Sequence, residues 1–202
     1  MIRLAVVEDH PAVAEGLCAI LGDEPDIELV ASATDVEAAR RMIERVNPDI
    51  VLCDLRLASG GDGFELIGSA SAGPRFLILS AYGVPSYYRR ALESGAMGFI
   101  SKTAPVGVIL RAIRAVASGK SAFTSEARRA AREAPKPPTR REAQIIRLVA
   151  EGLSNAEVGE RLGLRPKTIE SQLRRLFDRY DVSSRTRLVR VAEQQGWLVG
   201  DP

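Results

Sequence analysis

Five short apolar runs alternate with stretches of helical periodicity over the first ~120 residues, and this leaves few folds open. The runs are residues 2–7, 27–33, 49–54, 75–80 and 97–101. Between and after them, Val13, Leu17, Ile20 and Leu21, then Ala38, Ala39, Met42, Ile43 and Val46, recur at the spacing of one helix face. Further helices are predicted over 64–70, 84–94 and 105–118. The pattern predicts a doubly wound α/β domain on a five-stranded parallel sheet. The third run, Asp49-Ile50-Val51-Leu52-Cys53-Asp54, is unbroken in its apolar part, as in a strand covered on both faces. In such sheets ligands bind beyond the carboxyl ends of the strands, which is where Asp54 falls.

The second part of the chain has no strand pattern. Residues 119–138 read as a linker. Its Ala- and Arg-rich centre suits a short helix, and Ala134-Pro135-Lys136-Pro137-Pro138 cannot continue one. Thr139-Arg140-Arg141-Glu142 and Ser154-Asn155-Ala156-Glu157 are capping boxes, in which the hydroxyl takes a backbone N–H and the Glu reaches back. Gly152 and Gly163 supply stops, and Pro166 suits the first turn of a third helix. A fourth helix follows Ser183-Ser184. Residues 139–202 therefore read as a small four-helix unit, with a helix-turn-helix across Gly163.

Charge divides along the same line. Residues 1–120 carry 12 Lys/Arg and 15 Asp/Glu; residues 121–202 carry 16 and 11. An acidic domain followed by a basic one suits a polyanionic partner for the second. No apolar run approaches the ~20 residues of a membrane-spanning helix, and the expected location is the cytoplasm. Cys18, Cys53 and a lone His10 do not have zinc-site spacing, and both cysteines read as small buried side chains.

In a doubly wound sheet the first and third strands are neighbours, which gathers Glu8, Asp9 and Asp54. Carboxylates so close repel one another, and a hard divalent cation such as Mg2+ relieves this. Ser80 and Lys102, at the ends of the fourth and fifth strands, are placed to reach the same pocket. Three acids, a hydroxyl and a lysine form a site for a phosphoryl group. A carboxylate oxygen can attack phosphorus, with metal and lysine offsetting the charge.

These residues carry a resemblance. Residues 1–118 resemble the receiver domain of two-component response regulators, which implies the flavodoxin-like strand order. It also implies Asp54 as phosphoacceptor, and Mg2+ held by Glu8, Asp9, Asp54 and the backbone carbonyl of Arg56. By the same resemblance Ser80 and Lys102 contact the phosphoryl group and Phe99 is an aromatic switch. Leu57-Ala58 stands where the family usually has Met-Pro, and Gly63 comes one residue late, so the loop beside the site is longer.

In the third helix of the second unit, Ile169, Leu173, Leu176, Phe177 and Tyr180 form an apolar stripe, with Lys167, Ser171, Arg174 and Arg175 roughly opposite. Thr139-x-Arg141-Glu142, Ala150-Glu151-Gly152-Leu153-Ser154-Asn155, Lys167-Thr168-Ile169 and Val182-x-Ser184-Arg185-Thr186 are similar to the DNA-binding domain of LuxR-type regulators. The whole chain thus resembles the NarL/FixJ subfamily. That implies Glu170, Ser171 and Arg174 at base-reading positions and Lys167, Thr168 and Arg175 on phosphates. Arg185, Leu188, Val189 and Ala192 would be a dimer contact on DNA. The family usually has Lys at the position of Glu170 and His at that of Gln172, which predicts an altered sequence preference.

The expected function is a transcription regulator, not an enzyme with turnover. A sensor histidine kinase would phosphorylate Asp54, and the chain would bind double-stranded DNA as a homodimer when phosphorylated or DNA-bound. A surface of the fourth helix and fifth strand, with Tyr82, Tyr87 and Tyr88, would repack with Phe99. The rivals are a regulator that binds DNA without phosphorylation, a phosphotransfer sink or phosphohydrolase using the same acids, and an interaction module with weak DNA affinity.

Overall fold

The computed structural model describes residues 1–57, 63–68 and 73–198. The chain forms two compact units, Met1–Glu133 and Ala134–Pro202. The first contains β1 (Ile2–Val7), α1 (Pro11–Gly22), β2 (Ile27–Ala33), α2 (Val36–Val46) and β3 (Ile50–Asp54). It continues with α3 (Gly63–Gly68), β4 (Arg75–Ser80), α4 (Pro85–Glu93), β5 (Gly98–Ser101), α5 (Val106–Ala117) and α6 (Ser125–Glu133). The sheet is parallel throughout, in the order β2-β1-β3-β4-β5.

Side chains of a strand alternate between faces, so each apolar run feeds two cores at once. Ala5, Val7, Val51, Cys53, Phe76 and Ile78 pack with residues of α2, α3 and α4. Leu4, Val6, Ile50, Leu52, Leu77 and Leu79 pack on the other face with Leu21 of α1 and Ile109, Leu110, Ala112, Ile113 and Val116 of α5. The registers Val7↔Cys53, Asp54↔Leu79 and Ser80↔Ser101 bring the carboxyl ends of four strands to one edge. That edge holds Glu8, Asp9, Asp54, Arg56, Ser80 and Lys102, while Phe99 lies within β5.

The expected linker 119–138 is corrected in its first part, because residues 119–133 belong to the first unit. Ala122 bridges to Gly98 at the edge of β5, and its N–H donates to the Met97 carbonyl at 2.7 Å. Phe123 and Ala127 enter the core beside Phe99 and Tyr87. Thr124 caps α6 through Ala127 N at 3.1 Å. At the other end, the Arg89 guanidinium on α4 donates to the carbonyls of Ala131 at 2.9 Å and Arg132 at 3.2 Å. A cation at a helix C-terminus satisfies orphan carbonyls and matches the helix dipole.

The second unit contains α7 (Arg140–Ala150), α8 (Asn155–Leu162), α9 (Pro166–Tyr180) and α10 (Arg185–Gln194). Both capping boxes form, at Thr139/Glu142 and Ser154/Glu157. Ile145, Ile146, Val149, Val158, Ile169, Leu173, Leu176, Leu188 and Ala192 make the core. Trp197 packs its ring on Tyr180, with centroids 4.6 Å apart. Among the described residues no helix is long and apolar enough to cross a membrane.

Candidate functional site: an acidic pocket and an exposed basic helix

At the carboxyl edge of the sheet, Glu8 and Asp54 are buried, with 2% and 5% of their surfaces exposed. Lys102 reaches in from the turn after β5. Its Nζ lies 2.7 Å from Asp54 Oδ2 and 2.7 Å from Glu8 Oε2. Burial opposes the charge on Lys102, but hydrogen bonds and Coulomb attraction from Asp54 and Glu8 outweigh it and hold the ammonium above its ordinary pKa. Arg56 N donates to Asp54 Oδ1 at 3.3 Å, which places the Arg56 peptide beside the carboxylate. Ser80 is 1% exposed, and its hydroxyl accepts from Tyr82 N at 3.1 Å.

Asp9 sits at the rim with His10, whose Nδ1 is 2.9 Å from Asp9 Oδ1 and 3.2 Å from Glu8 Oε1. One ligand atom from each of Glu8, Asp9, His10 and Asp54 falls within 4.8 Å of the others. The carboxylates fit a hard divalent cation: oxygens from three acids converge, and one cation, the Lys102 ammonium, is already held between two of them. Sequence reasoning set His10 aside; its position directly after the acid pair was the available signal.

Gly63 fixes the back of the pocket. A methyl group there would meet the Asp54 carbonyl oxygen at 2.5 Å and Cys53 Sγ at 3.1 Å, so α3 starts this close to β3 only with glycine. The expected lengthening of the loop after Asp54 concerns residues 58–62, which lie outside the described residues. Across the mouth, the Arg56 guanidinium lies over the Tyr82 ring at 5.2 Å.

The expected switch surface is packed in part. Phe99 is 5% exposed and edge-to-face with Tyr88 at 4.8 Å. Tyr87 is 7% exposed and belongs to the core. Tyr82, at 52%, is an open ring.

In the second unit, Lys167, Thr168, Glu170, Ser171, Arg174 and Arg175 are all exposed on α9, while Ile169, Leu173 and Leu176 are buried. The turn before α9 depends on Gly159, where a Cβ would meet the Leu164 carbonyl oxygen at 2.5 Å. Gly163 ends α8 at φ +64°, a conformation natural to glycine. Glu142 ties the start of α7 to the end of α9. It accepts from Thr139 N at 2.8 Å and from both Arg179 terminal nitrogens at 2.8 Å. Burial works against its charge; the Arg179 and Thr139 hydrogen bonds prevail and hold its carboxyl below the usual range. Glu142 was legible as a cap, but its partner 37 residues away was not.

The expected dimer contact on α10 is corrected at Leu188 and Ala192. Leu188 and Ala192 are fully buried in the core of their own unit, and Val189 packs against that core. Arg185 donates to Asn155 Oδ1 at 2.7 Å and to the Leu153 carbonyl, stapling α10 to the start of α8. Arg185 and Val189 are half-buried, and Arg187 and Arg190 are exposed.

Comparison with known proteins follows the same division. Residues 4–114 match the response regulator receiver domain family, and residues 137–192 match the luxR family of bacterial regulatory proteins. The transcriptional regulatory protein LiaR of Bacillus subtilis (strain 168) is 32% identical over 199 residues, covering 92% of this chain and 94% of that protein. The crystal structure of the response regulator ChrA, from a heme-sensing two-component system, aligns over 97% of this chain and 98% of its own. It does so at 30% identity with a TM-score of 0.58. RcsB of Salmonella enterica serovar Typhimurium, solved on a promoter with phosphomimetic BeF3-, shares the fold at 20% identity. Its TM-score is 0.68, over 96% of this chain and 98% of its own.

Proposed function

Since the chain belongs to the response regulators that join a receiver domain to a LuxR-type helix-turn-helix domain, we propose that it is a transcription regulator whose grip on double-stranded DNA is set by phosphorylation of Asp54 by a partner histidine kinase. The observation that carries this reading is the Asp54–Lys102–Glu8 contact, with both acids buried, at the carboxyl edge of the sheet. It supports a phosphoacceptor because the carboxylate is held by a cation and by a backbone N–H at the end of its strand. Residues 1–118 act as the receiver and 139–202 as the DNA-binding domain, in the cytoplasm.

The step is a phosphoryl transfer. An Asp54 oxygen attacks phosphorus, the P–O bond forms, and the bond to the donor breaks with its electron pair leaving on the donor. Mg2+, held by Glu8, Asp9, Asp54 and the Arg56 carbonyl, would neutralise charge on the transferring group. Lys102, already on Asp54, follows the new oxygens with its ammonium. The Ser80 hydroxyl has a proton to donate to a phosphoryl oxygen while still accepting from Tyr82 N. These shifts pull on the loops before α4 and after β5, and populations of the receiver move accordingly.

On α9, Lys167, Thr168 and Arg175 meet phosphates and Glu170, Ser171 and Arg174 meet base edges. The regulator works as a homodimer on two half-sites. Acetyl phosphate should raise the affinity of the full chain for its operator in a gel shift, and Asp54→Asn should abolish the gain. An equal gain in the variant would refute phosphorylation control.

A further inference from the structure

In the first half of α9's exposed face, Glu170 has the wrong sign for a helix that approaches a polyanion. Glu170 stands among Lys167, Arg174 and Arg175 with its side chain 62% exposed. It is paired within the helix: Arg174 Nη2 lies 3.7 Å from Glu170 Oε1, one turn further on. A carboxylate facing DNA is repelled by phosphates and needs a donor in the groove. In the major groove thymine presents an acceptor and a methyl group, guanine two acceptors, and adenine a donor beside the N7 acceptor. Cytosine alone presents an amino donor without an adjacent acceptor. Arg174 has five donors in a fork, enough to hold Glu170 with one edge and the O6 and N7 of guanine with the other.

We infer that Glu170 and Arg174 act as one reading unit, with Glu170 selecting cytosine and Arg174 selecting guanine. Four residues of helix rise about 6 Å, so the two bases lie within about two base-pair steps of each other. The inference rests on the DNA-binding reading above and adds the base identities. It also assigns Glu170 a second effect. By drawing charge from Arg174 it weakens attachment to random DNA, so discrimination comes partly from a lowered background.

The test is selection of bound fragments from random duplexes, using the full chain treated with acetyl phosphate, for wild type, Glu170→Gln and Arg174→Ala. Wild type should return sites with a fixed cytosine and a fixed guanine in each half-site. Glu170→Gln, which keeps the shape and gains a donor, should move the preference at the cytosine position towards adenine. The change in the cytosine-to-adenine ratio should be roughly tenfold. The same variant should bind random duplex more tightly. Guanine discrimination measured in the two single variants and their double variant should be non-additive, as for groups that share a contact. Identical consensus sites from wild type and Glu170→Gln would overturn the inference while leaving the regulator reading intact. Failure of the wild type to enrich any sequence would overturn both.

Discussion

The acidic pocket and the α9 face are both built from charge, but in opposite ways. In the pocket Glu8 and Asp54 are buried, Lys102 is half-buried, and the three spend their charges on one another. On α9, Lys167 and Arg175 stand in solvent, and the Glu170–Arg174 ion pair joins two exposed side chains. Buried charges interact strongly and tolerate no unpaired member, so adding or removing one group re-balances the whole set. Exposed charges are screened and act by their number and placement. The first arrangement suits a switch and the second a grip.

The contrast can be broken most forcefully from the pocket. Lys102→Ala leaves Glu8 and Asp54 buried against each other and should cost about 3 kcal/mol in urea unfolding. Added magnesium should recover part of the loss, and a variant as stable as wild type would mean that the pocket is not a coupled set. Of similar size is Leu188→Ala in the second unit, expected to cost about 3 kcal/mol by cavity formation. Arg187→Ala, on the exposed side of the same helix, should change stability by less than about 0.5 kcal/mol. Equal effects from the two would undo the inward placement of Leu188.

Smaller effects sharpen the comparison. Arg179→Ala should cost about 1 kcal/mol, after allowance for a guanidinium that is partly in water. Because the folded Glu142 carboxyl titrates below its ordinary value, this contribution is complete above the unfolded glutamate value of about 4.3. It fades as pH falls through the lowered folded value. Wild type should therefore lose stability faster than Arg179→Ala on acidification below about pH 4.3, by thermal melts. The least change in stability belongs to Lys167→Ala. Its readout is the salt dependence of DNA binding, whose slope should fall by about one unit with no shift in melting temperature.

Much of this was legible in the sequence where one local pattern served one purpose. The five apolar runs and their helical partners specified the sheet, and acids and a lysine at the strand ends specified the pocket. The apolar stripe of α9 and the charges opposite it also stand as read. What escaped depended on distant partners. α6 offers only Ala127 and Ala131 as buried positions, too weak a stripe to announce packing, and its anchor Arg89 lies some forty residues earlier. On α10 the spacing of Leu188, Val189 and Ala192 is itself that of an inner face. The resemblance to a family drew those residues to the surface against their own periodicity.

Arg89 gives α6 a further meaning. The last turn of that helix is closed by a side chain from α4, so the two move as a pair unless two carbonyls are stripped of their donor. Under the proposed phosphorylation, a shift of α4 would reach the point where the chain leaves the first unit through these two hydrogen bonds. The exit of the polypeptide is pinned to α4, as a door handle is fixed to its latch.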